Sequence, residues 1–286
     1  MHPILFKIGP LTIHTYGVLI ATAFLLGILY AMHEAKRENL PPARILDLGL
    51  IIVVGALLGG KLLLILVNLR YYFRHPGEIL KSLRYGGVYY GGLLLATALG
   101  IWYIKRASLP VGKTVDVLAP GIALGQFIGR WGCFSAGCCY GKPLTFPLFK
   151  VITNIPSYLS YWYEKPARVP WGLTFTNPYT HRTIGTPLNI PLYPTEILHS
   201  LAGLMILLIL ILMKRRRTFS GELFLLYLIF YSASRFFIEY MRGDPRGALF
   251  GGALSTSQFI ALIVGPTSLA IFIYKKRAAS NAAPNK

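Results

Sequence analysis

Seven long apolar segments dominate the chain, each bounded by charged residues or by clusters of Pro and Gly. Because a transmembrane helix needs about 20 largely apolar residues, each segment predicts a helix that crosses a bilayer. The fourth segment is the shortest and contains Pro120. We therefore predict an all-α integral membrane protein with about seven transmembrane helices. The segments are approximately 17–32, 45–67, 86–104, 115–129, 197–213, 222–241 and 253–274.

The composition agrees with this fold class and excludes several others. Of 286 residues, 54% are hydrophobic and 14% are charged, with three cysteines and a mean hydropathy of +0.54. Such a chain is neither disordered, nor a disulfide-rich secreted scaffold, nor a nucleic-acid-binding tail protein. We expect a single membrane domain over 1–286 and no nucleic-acid partner. The net charge of +19 points to lipid head groups and to topology.

The placement of basic residues predicts the orientation, because short basic loops remain on the cytoplasmic side. The run Lys214-Arg215-Arg216-Arg217 fixes its loop inside, which places the C-terminus inside and the N-terminus outside. Basic residues within 70–84 would lie outside, where they favour an interfacial helix. Residues 130–196 then form a periplasmic head between helices four and five, and the polar tail 278–286 is predicted to be disordered. The first apolar segment has no cleavage signature, so we expect it to remain as a helix.

Ionisable residues collect at the predicted outer face, most clearly on the sixth helix. Tyr231, Arg235 and Glu239 are spaced i, i+4, i+8, and Arg242 follows three residues later. This spacing places them on one helix face, with Glu239 as the obvious partner for Arg235. One interpretation is an ion pair that joins helices. The other is that Arg235 and Arg130 converge on an anion, because guanidinium groups suit phosphate.

The segment 129–143 is rich in glycine. We expect it to leave the helix and form an irregular, re-entrant loop whose free amides could receive phosphate oxygens. The alternative is an ordinary helix exit followed by a tight turn.

All three cysteines, Cys133, Cys138 and Cys139, lie in this segment. On the outer side an oxidising environment would permit one disulfide and leave an odd thiol. A zinc site that includes Glu196 or His199 is conceivable, but the spacing matches no common structural zinc pattern, so we predict no metal site. Small buried residues that fill a turn explain the cysteines equally well.

His199 follows Glu196 at i+3 at the start of the fifth helix. This spacing allows a proton acceptor with an oriented partner, or a hydrogen-bonded structural histidine.

Several short motifs occur in an order that resembles one known family. They are Tyr16-Gly17, Tyr90-Gly91-Gly92, Gly129-Arg130-x-Gly132 through Gly141-Lys142-Pro143, Pro194-Thr195, and Tyr231-x-x-x-Arg235-x-x-x-Glu239-x-x-Arg242. Over nearly its whole length the chain resembles the prolipoprotein diacylglyceryl transferases of bacterial lipoprotein maturation.

The resemblance implies transfer of a diacylglyceryl group from phosphatidylglycerol to the lipobox cysteine of a prolipoprotein signal peptide, without a cofactor. It implies a multi-pass protein of the bacterial inner membrane, in contact with membrane lipids, whose active site faces the outer leaflet. The implied catalytic residues are Arg130, Arg235, Glu239, Tyr90 and His199. The implied substrate-binding residues are Arg130, Tyr16, Gly141, Tyr231, Arg235 and Arg242.

The chain departs from the family pattern at chemically important positions. Tyr90 stands where the family has His, Cys133 where it has Asn, and Cys138 and Cys139 where it has Glu and an apolar residue. A tyrosine with a pKa of about 10 is a poor base at neutral pH. Either His199 or Glu239 takes the thiol proton, or the chemistry has changed. The alternatives are a non-catalytic paralogue that binds anionic phospholipid, and a thiol-redox or transport membrane protein.

Overall fold

The computed structural model describes residues 2–9, 11–82, 86–144, 172–244, 247–249 and 254–282, and most of these are helical. The helices are α1 (Thr15–Arg37), α2 (Pro42–Val67), α3 (Leu69–Arg74), α4 (Gly77–Ser82), α5 (Tyr89–Arg106), α6 (Val111–Ala136), α7 (Pro178–Ile184), α8 (Thr195–Met213), α9 (Glu222–Glu239) and α10 (Thr256–Ala282). A 3₁₀ turn, Lys214–Arg216, follows α8.

Three antiparallel two-stranded ribbons complete the described elements. They pair β1 (Ile4–Ile8) with β2 (Leu11–His14), β3 (Leu173–Thr174) with β4 (Pro191–Leu192), and β5 (Ala248–Leu249) with β6 (Leu254–Ser255). These ribbons are short, so helices supply almost all of the regular structure.

Within the part of the chain that the structure describes, four helices are long and apolar enough to cross a membrane, which supports the prediction of a helical membrane protein. They comprise Thr15–Arg37, Pro42–Val67, Thr195–Arg216 and Thr256–Asn281. Each of the other three predicted segments is also a helix, namely α5, α6 and α9. These carry more polar or charged residues, and the crossing of the bilayer by all seven, with its orientation, remains a prediction.

The helix α6 corrects the expectation that the glycine-rich segment is irregular from residue 129. The helix continues through Ala136, and Pro120 lies within it. Gly132 is accommodated because it faces α1, where an added Cβ would lie 3.3 Å from Cδ2 of Tyr16. The glycine therefore serves close helix packing, and the irregular backbone begins only at Gly137.

The last helix differs from the predicted disordered tail in a similar way. Residues 278–282 are helical, and 283–286 lie outside the described residues. Ala278, Ala279 and Ala282 favour helix because alanine has the highest helix propensity. The predicted head also falls partly outside the described residues, since 145–171 are not among them.

The chain divides into two compact units, Met1–Gly27 with Ala119–Lys286 and the intervening Ile28–Leu118. The single-domain organisation remains a prediction.

In the unit Ile28–Leu118, α2 and α5 cross with their backbones in contact. A Cβ added to Gly91 would lie 2.3 Å from the carbonyl oxygen of Gly59, and one added to Gly59 would lie 2.3 Å from that of Gly91. Val88 N–H donates to the Gly60 carbonyl at 3.0 Å just before α5 begins. Gly91, which the motif Tyr90-Gly91-Gly92 had associated with the candidate site, therefore has a role in helix packing.

The other unit is held together by an apolar core between α6, α8 and α9. Its buried members are Ala119, Ala123, Ile206, Leu207, Leu210, Leu223 and Tyr227. Ser200 Oγ donates to the Phe127 carbonyl at 2.9 Å, and Gly203 allows α8 to approach the same stretch of α6. This packing fixes the first turns of α8 beside the last turns of α6 and α9.

Candidate functional site

Arg235 is the centre of a buried polar network at the end of α9. Its Nη2 atom lies 3.1 Å from Glu239 Oε2 and donates to Ser257 Oγ at 2.8 Å. Its Nη1 atom lies 3.1 Å from Nε2 of His199 on α8. Because a guanidinium can only donate, Nε2 of His199 accepts, so the imidazole is neutral with its proton on Nδ1. The ion pair expected from the i, i+4 spacing is present.

Arg242 extends this network beyond the helix. It binds Asp244 through two hydrogen bonds, Nε to Oδ1 at 2.9 Å and Nη2 to Oδ2 at 3.0 Å. Its Nε atom also lies 3.9 Å from Glu239 Oε2. The α9 helix ends at Glu239, so Arg242 is placed by the turn after the helix rather than by the helix face. Glu239 thus lies between two buried arginines.

Arg130 lines a small cavity between α6, α8 and α9. In the part of the chain that the structure describes, its guanidinium has no hydrogen-bond or ion-pair partner. The cavity is lined by Gln126, Arg130, His199, Ala202, Gly203, Ile206, Tyr231 and Ser234. A guanidinium without a partner beside a partly polar cavity is suited to bind an anion.

A hydrogen bond and a ring stack support one wall of the cavity. Gln126 Nε2 donates to Tyr227 Oη at 2.7 Å, and the rings of Tyr227 and Tyr231 stack with centroids 5.7 Å apart. Arg130, His199 and Tyr231, three of the residues proposed from the sequence, therefore meet at one cavity.

Gly141 lies in an extended segment that is enclosed on both sides. It pairs with Arg242 in an antiparallel bridge, and Lys142 N–H donates to the Met241 carbonyl at 2.7 Å. A Cβ added to Gly141 would lie 2.3 Å from the carbonyl oxygen of Tyr193. Only glycine fits at this position, and it holds Arg242 against the segment that precedes α8.

The three cysteines form a half-buried cluster that the sequence alone did not reveal. No disulfide joins these three residues, and their Sγ atoms all lie within 4.8 Å of one another. Hydrogen bonds with the thiols of Cys133 and Cys138, and the nearby charges of Arg242 and Arg130, lower the pKa of Cys139. The cluster therefore lies within the electrostatic field of the same arginines that form the candidate anion site.

Two further predicted site residues lie at the starts of helices. Tyr16, at the start of α1, is partly exposed and contacts Gly132. Tyr90 lies in the first turn of α5, where its ring meets that of Tyr89 edge to face at 5.5 Å. Tyr90 belongs to the compact unit Ile28–Leu118.

Sequence reasoning missed Gln126, Ser257 and the role of Asp244 as the partner of Arg242. Asp244 offered a signal, since it lies two residues from Arg242. Gln126 and Ser257 offered none, because their partners are 101 and 22 residues away in the chain.

Comparison with known proteins places these residues in context. The family model described as "Prolipoprotein diacylglyceryl transferase" matches residues 3–274. A phosphatidylglycerol–prolipoprotein diacylglyceryl transferase of Clostridium tetani is 34% identical over 96% of this chain and 97% of its own length. Proteins of the same name from Bacillus velezensis and Geobacillus kaustophilus are 32% and 34% identical, over 96% and 94% of this chain and 93% and 90% of theirs.

Proposed function

The chain belongs to the prolipoprotein diacylglyceryl transferase family, and from this premise we propose that it transfers a diacylglyceryl group from phosphatidylglycerol to a prolipoprotein. The lipobox cysteine thiol attacks the glyceryl carbon that carries the phosphate. A C–S thioether bond forms and the C–O bond to phosphate breaks. Glycerol phosphate leaves, and in the net reaction it carries away the thiol proton.

The observation that supports this function best is the position of Arg130. Its guanidinium lines the cavity and has no hydrogen-bond or ion-pair partner among the described residues, which leaves its donors available to phosphate oxygens. Charge increases on the phosphate as the C–O bond breaks, so a fixed cation at that point stabilises the transition state more than the ground state. We assign Arg130 to the departing phosphate.

Arg235 supplies a second fixed cation. Its position is set by Glu239, His199 and Ser257, whose atoms lie 2.8 to 3.1 Å from its guanidinium nitrogens. Burial strengthens its effect, since only 8% of the residue surface is exposed. We propose that Arg235 faces the lipid head group and that Tyr231 and Tyr16 bound the path by which it enters.

The contacts of His199 and Glu239 support a positioning role for both residues. The Nε2 lone pair of His199 accepts from Arg235, and Glu239 lies between Arg235 and Arg242. While its hydrogen bond to Arg235 persists, Nε2 of His199 is not available to take a proton. We therefore propose that both position arginines, with Arg242 held in turn by Asp244 and Gly141.

The proposal includes a location. We propose an enzyme of the bacterial inner membrane with seven transmembrane helices, the C-terminus in the cytoplasm and the site at the outer leaflet. The substrates are then phosphatidylglycerol and the signal peptide of a prolipoprotein, which both reach that leaflet. A periplasmic reporter fused after Lys286 should give no signal, and a signal would overturn this orientation.

The test of function is a direct transfer assay. Purified protein in membranes that contain phosphatidylglycerol is mixed with a lipobox peptide, and the peptide cysteine is analysed by mass spectrometry. We expect a diacylglyceryl thioether from the wild type and from Arg182→Ala, an exposed arginine of α7 that serves as a matched control. Loss of a charged hydrogen-bonding partner is worth roughly 1.5–3 kcal/mol, so Arg130→Ala should lower the rate at least about tenfold.

Two outcomes would reject these assignments. A full rate in Arg130→Ala would remove Arg130 from the reaction. A wild-type protein that yields no thioether beside an active relative would be a lipid-binding paralogue.

A further inference from the structure

We propose that Cys133, Cys138 and Cys139, completed by Glu196, form a binding site for a thiophilic divalent cation, with Zn²⁺ as the ligand it fits best. The inference is independent of the proposed transferase activity. It concerns the loop that leads from Arg130 to Gly141, and it can be tested without a transfer assay.

The geometry of the sulfurs carries the first step. The three Sγ atoms lie within 4.8 Å of one another. At a Zn–S distance of about 2.3 Å, tetrahedral thiolates are about 3.8 Å apart, so they need to close by about 1 Å at most. A disulfide would need two of them at about 2.0 Å. The cluster is therefore closer to the arrangement of a metal site, although the spacing of the cysteines in the sequence matches no common zinc motif.

The backbone brings the sulfurs together. Cys138 N–H donates to the Cys133 carbonyl at 3.1 Å, which folds the loop back onto the end of α6. Cys139 has a φ of +70°, a left-handed conformation that is rare for a residue with a side chain. Thr195 Oγ1 donates to the Cys139 carbonyl at 2.7 Å and holds this residue beside the first turn of α8.

Glu196 is the independent observation that points to a ligand. It follows Thr195 directly, the residue whose hydroxyl donates to the Cys139 carbonyl, and only 1% of its surface is exposed. Within the described ranges, neither of its carboxylate oxygens has a hydrogen-bond partner. A buried carboxylate without a hydrogen-bond partner destabilises the folded protein unless it binds a cation or a proton. A carboxylate oxygen is a suitable fourth zinc ligand, and a small movement of the first turn of α8 would bring it to the three thiols.

The charges of the surroundings agree with an occupied site. Three thiolates, one carboxylate and Zn²⁺ carry a net charge of −2. Arg130 and Arg242, the two guanidinium groups that act on Cys139, offset part of this charge, since Arg242 is also paired with Asp244. The surroundings of the cluster are therefore cationic on the side of these two arginines.

The experiment uses the full chain, purified in detergent under reducing conditions without an affinity tag. Elemental analysis should find about one zinc ion per chain after removal of excess metal. Replacement by Co²⁺ should give the intense thiolate-to-metal absorption of a tetrahedral site, diminished in Cys133→Ser, Cys138→Ser and Cys139→Ser. Glu196→Gln should keep the thiolate absorption but change the cobalt ligand-field bands. Ser135→Ala is the matched control in the same segment and should behave like the wild type.

Three results would overturn the proposal. One is a reduced wild-type protein that binds neither zinc nor cobalt while a maleimide labels its thiols. Another is a cobalt spectrum that is unchanged when all three cysteines are replaced. The third is a freshly extracted wild-type chain lighter by two hydrogens, which would show a disulfide in place of the metal. The first and third results are obtained with the wild-type protein alone, so the proposal can be rejected even if the cysteine variants misfold.

Discussion

The guanidinium of Arg235 donates to the imidazole of His199, with Nη1 and Nε2 3.1 Å apart, and both side chains are buried. The bond joins α8 to α9 and occupies the histidine nitrogen that would otherwise accept a proton. It therefore supports the proposal that His199 orients the arginine.

This role separates two substitutions of His199. His199→Gln keeps an oxygen that can accept from Arg235, whereas His199→Ala leaves that guanidinium N–H without a partner. Loss of a hydrogen bond to a charged group is worth roughly 1.5–3 kcal/mol, so the Ala variant should lose about 10- to 100-fold in transfer rate. The Gln variant should stay within a few-fold of the wild type, with an unchanged pH profile. Equal losses in both variants would indicate that His199 itself accepts the proton.

Asp244 should matter for the same reason as His199. Its two oxygens hold Arg242 at 2.9 and 3.0 Å, so Asp244→Asn removes one acceptor and the charge. We expect transfer to fall by about tenfold or more, in line with roughly 1.5–3 kcal/mol for a charged hydrogen bond. Asp47→Asn, at an aspartate that accepts from Tyr103, is the control and should keep its rate. An Asp244 variant with the wild-type rate would show that the position of Arg242 does not affect the reaction.

Tyr90 tests whether the position that is histidine in the family still serves as a base. Unlike an imidazole, a neutral phenol donates a hydrogen bond and has little tendency to accept a proton. Tyr90→Phe should therefore leave transfer within about tenfold, well short of the roughly 100-fold or more that loss of a general base brings. A larger loss would assign the hydroxyl a direct part in the chemistry. Initial rates at several pH values make the comparison.

Gly141 should tolerate no side chain. Gly141→Ala places a Cβ 2.3 Å from the Tyr193 carbonyl oxygen, and overpacking of this kind costs about 1–3 kcal/mol. Thermal unfolding in detergent should show a lower midpoint, together with reduced transfer. Gly17→Ala is the control, because nothing lies within 4 Å of its added Cβ. A Gly141 variant as stable as the control would mean that this segment can move aside.

The crossing of α2 and α5 allows a matched comparison within one helix. Gly91→Ala brings its Cβ to 2.3 Å from the Gly59 carbonyl, whereas Gly100→Ala meets Ile52 only at 3.6 Å. The first should destabilise by about 1–3 kcal/mol, and the second should have little effect or stabilise slightly, because alanine favours helix. Similar unfolding midpoints would argue against a tight crossing.

The sequence predicted those features that depend on local spacing. Arg235 and Glu239 pair because four residues bring side chains together on any helix. The seven helical segments followed from hydropathy, and the identification of the family from motif order is confirmed by the family match.

What the sequence did not predict depends on packing between distant segments. The contact of Arg235 with His199 requires one particular position of α8 along the axis of α9. Gly132 was predicted to lie beyond the helix, because glycine has a low helix propensity. Propensity does not include the packing of Tyr16 against this glycine, which the folded protein provides. The cysteine cluster depends on the left-handed turn at Cys139, which its spacing does not encode.

Where Gly59 meets Gly91, the backbones of α2 and α5 are in direct contact, flanked by the Cβ atoms of Leu95 and Leu63. Such a seam is also held by weak Cα–H···O contacts, and it has no room for an acyl tail. Lipid cannot pass between α2 and α5 at this crossing. A phospholipid that enters this protein sideways from the bilayer must therefore pass through some other gap, and α2 and α5 can be expected to move as one body while it does so.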